Sequence, residues 1–238
     1  MEMLIQQEQV EQAFVEAEKI GWSFGGDWAL SKDALKSFSL SLPKLDVPTH
    51  ILELGAGQST LFWYSLIKDH SLNLTVTSLE HHPIWADYVK KRIGNCELLR
   101  IELLDLKVID EEEWAKVFDE PKEAANAWKT LGTKVQEEKF ENYSMHNTFY
   151  EVPPELFAIM KSIDGLIVDG PHGNGRSLAF PLFHNYFNPD AVVLIDDIDH
   201  YNFLGNLLNL FSFQILAKQI NNNERWVVVQ LEQEKKEK

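Results

Sequence analysis

A glycine turn that follows a short apolar segment constrains the fold of this chain most. Residues 51–60 read Ile-Leu-Glu-Leu-Gly-Ala-Gly-Gln-Ser-Thr, and an apolar helical segment begins directly after them. Gly55 and Gly57 permit a tight backbone turn and the close approach of a ligand, which a Cβ would obstruct. Ser59 and Thr60 place hydroxyls and free N–H groups at the start of the helix. The pattern predicts a strand, a turn and a helix that together bind a nucleotide-like ligand.

Two classes of ligand compete for this turn. A dinucleotide-binding turn carries a third glycine or an alanine, whereas Thr60 occupies that position here. Glu53, two residues before the first glycine, would repel a pyrophosphate and would attract a cation. S-adenosylmethionine carries such a cationic end, with an ammonium and a sulfonium close together. The motif therefore favours S-adenosylmethionine over a dinucleotide, and a glycine turn without a ligand remains the structural alternative.

A second predicted strand ends in another acidic residue. Residues 74–80 alternate in polarity and end at Glu80, about twenty residues beyond the glycine turn. At that spacing an acidic side chain reaches ribose hydroxyls, in nicotinamide-binding and methyltransferase folds alike. His81 follows directly. The spacing predicts a nucleoside site, with a surface strand end and a solvated histidine as the alternatives.

Two later apolar segments also end in carboxylates. Residues 163–168 are followed by Asp169-Gly-Pro, and residues 191–195 are followed by Asp196 and Asp197, with His200 close behind. Short apolar segments of this kind are typical of buried parallel strands, whose carboxyl ends meet at one edge of the sheet. The sequence therefore predicts that these side chains and the glycine turn form one site.

The motifs together resemble a known family. Ile-Leu-Glu-Leu-Gly-Ala-Gly-Gln-Ser-Thr, Ser-Leu-Glu-His, Ile-Val-Asp-Gly-Pro-His-Gly and Val-Leu-Ile-Asp-Asp follow one another between residue 51 and about residue 200. This order resembles the class I S-adenosylmethionine-dependent methyltransferases, in particular the small Asp-Gly-Pro branch related to the catechol O-methyltransferase group. The resemblance implies an α/β fold with a Rossmann-like, seven-stranded, mostly parallel sheet and helices on both faces. Its antiparallel last strand matches the predicted hairpin of residues 213–218 and 225–231.

The resemblance also implies how the methyl donor is bound. Glu53, Gly55 and Gly57 would cradle its methionine part, Glu80 would hold the ribose, and His81 would lie along the adenine ring. The predicted donor-contacting residues are Glu53, Gly55, Ala56, Gly57, Ser59, Thr60, Glu80 and His81.

In the catechol-type relatives a divalent cation such as Mg²⁺ lowers the pKa of the acceptor hydroxyl. Asp169 and Asp196 match two of its ligands, and Asp197 stands where the relatives often have an asparagine. Carboxylate oxygens suit such a hard cation. Without a metal, Asp169, Asp197 or His200 would act as the general base.

Two regions flank or interrupt this core within a single predicted domain of residues 1–238. Residues 1–45 form a predicted N-terminal helical cap, with an amphipathic helix that ends near Ile20 and a second helix near residues 31–42. Between them, Trp22 and Trp28 would form a lid over the ligand or pack in the core. Residues 107–150 form a charged, helix-prone insertion, predicted as a cover for the acceptor or as a surface for a homodimer.

Composition excludes several classes of function. The 238 residues carry a net charge of −15, and clusters of lysine and arginine that bind nucleic acid or anionic membranes are lacking. Cys96 is the single cysteine, which predicts a protein of the reducing cytoplasm. The N-terminus shows neither a basic nor an apolar leader, and no apolar run approaches the roughly 18 residues of a membrane span.

The sequence thus predicts methylation of a hydroxyl group on a small molecule or a sugar. A nicotinamide-dependent oxidoreductase is the first alternative. A scaffold protein that binds S-adenosylmethionine without catalysis is the second.

Overall fold

The computed structural model describes residues 4–25, 29–43, 45–70, 72–139, 146–160, 162–221 and 224–232. The helices are α1 Gln7–Ile20, α2 Lys32–Ser41, α3 Gln58–His70, α4 Pro83–Ile93, α5 Glu111–Asp119, α6 Ala124–Ala127, α7 Pro154–Ile159, α8 Ala179–Leu182 and α9 Phe203–Leu208. The strands are β1 Thr49–Leu54, β2 Leu74–Glu80, β3 Leu99–Leu103, β4 Leu106–Val108, β5 Thr133–Lys134, β6 Thr148–Tyr150, β7 Ile163–Val168, β8 Phe187–Ile195, β9 Phe213–Ile220 and β10 Arg225–Leu231. Short 3₁₀ turns cover Glu137–Lys139, Asn174–Leu178 and His184–Tyr186.

Seven strands form the central sheet, in the order β3-β2-β1-β7-β8-β10-β9. The five strands from β3 to β8 pair in parallel, whereas β10 runs antiparallel to both of its neighbours. This confirms the predicted mostly parallel sheet with an antiparallel last strand. The strand order reverses between β1 and β7, and ligands of open α/β sheets bind at such a reversal, beyond the carboxyl ends of the strands.

The two faces of the sheet bury separate apolar clusters. Leu166 belongs to one cluster and Ile167 to the other, because successive side chains of a strand point to opposite faces. On the second face α1 packs on α3, where the rings of Phe14 and Phe62 stack at 4.7 Å. The predicted amphipathic helix is therefore present and packs on the core. Ser31 caps α2 by accepting a hydrogen bond from the backbone N–H of Ala34 at 3.1 Å.

The insertion contains more than the predicted helices. Pro121 separates α5 from α6, and a three-stranded sheet of order β5-β4-β6 accompanies these helices. These strands have only two or three residues each, which is too short for a recognisable alternation of polarity. All three residues of β6 are buried, so this small sheet joins the insertion to the core.

Residues 178–186 do not form one continuous helix. Two 3₁₀ turns flank the single turn of α8, which contains Pro181, a residue that lacks the N–H needed inside a helix. None of the helices in the described part of the chain is long and apolar enough to cross a membrane.

Candidate functional site

A cleft of about 1000 Å³ opens where the strand order reverses, beyond the carboxyl ends of β1, β2, β7 and β8. The predicted residues that line it are Gly55, Ala56, Gly57, Ser59, Glu80, His81, Asp169, Asp196, Asp197 and His200. Glu53 and Thr60 are not among the lining residues. The sheet therefore brings nearly all of the predicted site residues to one cavity.

The glycine turn after β1 packs directly on the turn after β7. Gly55 has a φ of +93°, and a Cβ added there would lie 3.3 Å from the backbone nitrogen of Gly170. The backbone N–H of Gly170 donates a hydrogen bond to the Leu54 carbonyl at 2.7 Å. The positive φ favours glycine at position 55, and a Cβ added at Gly170 would lie 2.8 Å from Tyr150 Oη and 3.0 Å from the Cα of Gly55. At Gly57 an added Cβ would meet only Trp22, at 3.9 Å, so contacts within the described protein do not require glycine there.

Glu53 stabilises the glycine turn and does not line the cleft. Its fully buried carboxylate accepts hydrogen bonds from the hydroxyls of Thr60, at 2.6 Å, and Ser78. The Thr60 hydroxyl in turn accepts one from the backbone N–H of Gly57 at 2.9 Å. Burial raises the pKa of Glu53. Both side chains therefore hold the turn together and neither lines the cleft, so the expectation that they contact the methyl donor stays a prediction.

Glu80 joins the end of β2 to the same turn and also lines the cleft. One carboxylate oxygen accepts hydrogen bonds from the backbone N–H groups of His81 and His82, both at 2.7 Å, and the other accepts one from Ala56 at 2.9 Å. A carboxylate offers about four acceptor positions, so Glu80 retains capacity for a ligand hydroxyl.

The N-terminal region forms one wall of the cleft. The backbone N–H of Trp22 donates to the side-chain oxygen of Gln58 at 3.0 Å, and the Trp22 ring lies 5.5 Å from that of Trp85. The buried amide nitrogen of Gln58 has no hydrogen-bond partner among the described residues. Trp22 therefore lines the ligand cleft and also packs against other aromatic rings, whereas Trp28 lies outside the described residues.

The opposite end of the cleft is acidic. Burial raises the pKa of Asp169 to about 6, and burial together with repulsion from Asp169 and Asp197 raises that of Asp196 to about 7. The guanidinium of Arg176 acts in the opposite direction on both carboxyls. Both groups therefore exchange protons near neutral pH.

Two arginines hold Asp197, and sequence reasoning missed both. Nη1 of Arg176 lies 3.5 Å from one carboxylate oxygen, and Nη2 of Arg225 lies 3.2 Å from the other. Asp197 also has a φ of +52°, a conformation that is uncommon for residues other than glycine and is often found at functional sites. His200 is half exposed, with Nδ1 at 3.7 Å from Asp197.

The donor set does not fit a divalent cation. Within the described ranges, no three His, Cys, Asp or Glu side chains are grouped so that they could hold a metal ion. Asp169, Asp196 and Asp197 do reach one edge of the sheet, as predicted, but Asp197 faces two guanidinium groups. The three aspartates therefore do not fit the predicted metal site, and the use of a divalent cation stays a prediction.

Comparison with known proteins gives a family. A family model described as a methyltransferase domain matches residues 52–198, which is more than half of the chain. A search of curated protein sequences returned no significant match.

Solved structures of similar fold include three methyltransferases. The O-methyltransferase from Bacillus cereus in complex with SAH is 11% identical, with 96% of this chain and 92% of that chain covered and a TM-score of 0.47. The O-methyltransferase TomG from Streptomyces achromogenes is 13% identical, with 96% and 92% covered and a TM-score of 0.44. Precorrin-6y C5,15-methyltransferase from Geobacter metallireducens is 9% identical, with 88% and 93% covered and a TM-score of 0.48.

Proposed function

This chain belongs to the family of methyltransferase domains and is an S-adenosylmethionine-dependent enzyme, and from that premise we propose that it methylates a hydroxyl group of a small molecule or a sugar. The observation that carries the proposal is the composition of the cleft. One end is the glycine turn, and the other end holds the partly buried carboxyls of Asp169 and Asp196, which can take a proton from a hydroxyl when they are ionised.

The contacts of the turn support the donor-binding part of this proposal. The methionine part lies over Gly55 and Gly57, where Gln58 and Ser59 offer an amide and a hydroxyl at the start of α3. The ribose lies at Glu80, the charged side chain of that end with remaining acceptor capacity. The adenine lies beside His81.

S-adenosylmethionine supplies a sulfonium methyl group, and the protein must align the acceptor oxygen with it and remove the acceptor proton. Asp169 is the best placed of the three predicted bases. Its carboxyl lines the cleft directly beside the glycine turn, and its pKa of about 6 leaves it ionised at neutral pH. Asp197 is held by two arginines and His200 is half exposed, which makes both less suited to this role.

The first experiment is a titration of the purified protein with S-adenosylhomocysteine and with NADH, followed by a panel of hydroxyl and amine acceptors with a labelled methyl donor. We expect S-adenosylhomocysteine to bind, NADH not to bind, and label to appear on hydroxyl oxygen. We also expect dialysis against EDTA to leave the rate unchanged, because the aspartates do not group as metal ligands.

Three outcomes would contradict the proposal. Label that appears on amines alone would mean that the acceptor group is an amine and not a hydroxyl. Tight binding of S-adenosylhomocysteine without transfer to any acceptor would favour a silent scaffold. Activity that is lost with EDTA and restored by Mg²⁺ would mean that the reaction requires a divalent cation.

A further inference from the structure

The central sheet ends in two edge strands that differ in charge and length. β3 forms one edge and β9 forms the other. β3 has five residues and carries Arg100 and Glu102, which form an ion pair, and charged side chains of this kind prevent an edge strand from pairing with another chain. β9 has eight residues, contains no proline, and carries Lys218 as its single charged residue. β9 therefore offers a long backbone edge with little charge to prevent pairing.

Apolar side chains are exposed along β9 and beside it. Ile215 is 49%, Leu216 is 40% and Ile220 is 62% exposed, and Leu208 at the end of α9 is also exposed. Among the described residues β9 pairs with β10 alone, so the N–H and C=O groups on its outer side face no other strand. An edge of this kind is a site at which a further strand can add to the sheet.

The charge of this region differs from that of the rest of the chain. The protein has 37 acidic residues and a net charge of −15, but no acidic residue occurs between Asp199 and Glu224. Two copies of an acidic chain repel each other, and the repulsion is weakest where the contacting segments carry no acid. Of the two sheet edges, β9 is therefore the one at which two copies of this chain can approach most closely.

The sequence of β9 is nearly symmetric about its centre. Phe-Gln-Ile-Leu-Ala-Lys-Gln-Ile has an apolar residue at each end and a glutamine next to each end. In an antiparallel pair of two β9 strands about a two-fold axis, Phe213 would face Ile220, Gln214 would face Gln219, Ile215 would face Lys218, and Leu216 would face Ala217. Apolar residues and glutamines then meet their own kind, and Ile215 contacts the methylene stem of Lys218.

A β-bulge brings these pairs to matching faces. In a regular strand of eight residues, mirror positions point to opposite faces, because successive side chains alternate. The register of β9 with β10 skips Leu216, which shifts the two halves of β9 by one residue. One face then carries Phe213, Ile215, Lys218 and Ile220, and the other carries Gln214, Ala217 and Gln219. Each mirror pair outside the centre therefore shares a face, as cross-strand pairs must.

We propose that β9 is an interaction surface for a second copy of this chain, with the two β9 strands paired antiparallel about a two-fold axis. The two seven-stranded sheets then form one continuous sheet. Such a contact uses the same surface on both copies and closes after two. It places the homodimer contact at β9 and not in residues 107–150, and it does not depend on the identity of the methyl acceptor.

Sedimentation of the full chain measures the association directly. We expect a concentration-dependent change from 27.4 kDa to twice that mass, without larger species. Amide hydrogen exchange should slow in β9 at concentrations where the dimer forms, because its outer N–H groups become hydrogen-bonded, and should not change in β3. A monomer at the highest soluble concentration, species that grow without limit, or unchanged exchange in β9 would each overturn the proposal.

Two substitutions of one residue test the register. Ile215→Lys would place lysines opposite each other twice across the two-fold axis, and should raise the dimer dissociation constant about tenfold or more. Ile215→Glu would instead place a carboxylate opposite the partner's Lys218, and should dimerise about tenfold more tightly than Ile215→Lys. General repulsion between two acidic chains predicts the reverse order, because the glutamate adds negative charge and the lysine removes it.

The control Leu103→Lys introduces the same charge at an exposed apolar residue of β3 and should leave the dissociation constant unchanged. Equal constants for the two Ile215 variants, or a weaker dimer with the glutamate, would overturn the proposed pairing. A dimer that Ile215→Lys does not weaken would mean that another surface holds the copies together. If either variant fails to fold by circular dichroism, the exchange measurement on the unmodified chain decides.

Discussion

The acidic side chains at the two ends of the cleft have different partners. At the donor end, Glu80 accepts three backbone hydrogen bonds and Glu53 accepts two from hydroxyls, so these side chains tie the glycine turn to β2, and burial raises the pKa of Glu53 as well. At the acceptor end, Asp169 and Asp196 repel each other, and burial raises the pKa of both. Acidic side chains therefore fix the backbone of the glycine turn at the donor end, whereas at the acceptor end they carry protons that exchange near neutral pH.

This difference separates two requirements of methyl transfer. The donor must be held rigidly, because a sulfonium methyl is already reactive and needs mainly alignment. The acceptor hydroxyl must lose a proton, and a base works best when its pKa lies near the working pH. Changes at the acceptor end should therefore affect the rate, whereas changes at the donor end should affect binding and stability.

The largest expected effect comes from removing the proposed base. Asp169→Asn should lower kcat by about 100-fold or more, because general bases contribute on the order of 10²–10⁴ to the rate. The affinity for S-adenosylhomocysteine should change less than threefold. In the unmodified enzyme kcat should rise as the pH passes about 6 and then level off, since the ionised carboxylate accepts the proton. Stopped assays across pH, together with calorimetric titration, measure both quantities.

Asp199 offers a matched control at the same end. It is half exposed, lies 3.1 Å from Nε of Arg225, and is not among the residues that line the cleft. Asp199→Asn should keep the rate within twofold. If Asp169→Asn keeps more than a tenth of the activity, the base is a different residue, and Asp197 and His200 are the next to replace.

The elements that the sequence predicted are those with local patterns. β2 spans Leu74–Glu80, as predicted, because alternating polarity and a terminal acid mark it without reference to the rest of the chain. The contacts that the sequence did not predict join segments that are far apart along the chain. Arg176 meets Asp197 from 21 residues away, and nothing near either residue indicates the pairing.

Glu53 shows how far the partners of a side chain depend on the sheet. Its position before the glycine turn suggested a ligand contact, but the direction of a strand side chain depends on pairing with the neighbouring strand. β1 pairs in parallel with β2 so that Glu53 stands opposite Ser78, and the hydroxyl of Ser78 donates to its carboxylate. The sequence shows that residue 53 is a glutamate, but its hydrogen-bond partner depends on the register of the sheet.

A pair of isosteric changes at the donor end tests this distinction. Glu80→Gln should lower the affinity for S-adenosylhomocysteine about tenfold and the free energy of unfolding by about 1–3 kcal/mol, because an amide cannot accept all three backbone hydrogen bonds. Glu53→Gln should change the affinity less than threefold, since Glu53 does not line the cleft and the hydroxyls beside it can rotate. A larger loss with Glu53→Gln would restore it as a direct ligand contact.

The one expected gain is in stability, at the acceptor end. The pKa of Asp196 is about 7 in the folded protein against an ordinary value of 3.8, so its contribution to stability is fully present below pH 4 and is lost as the pH rises to about 7. Asp196→Asn removes the free-energy cost of ionising this carboxyl in the folded protein. The variant should unfold with about 2 kcal/mol more free energy at pH 8, given about 1.4 kcal/mol for each pKa unit and some loss of solvation and contacts, and with less than half of that gain at pH 5. Urea unfolding at both pH values measures the difference. A variant that is less stable at pH 8 would mean that ionised Asp196 is compensated by its surroundings, as Glu80 is, and the contrast between the two ends of the cleft would fail.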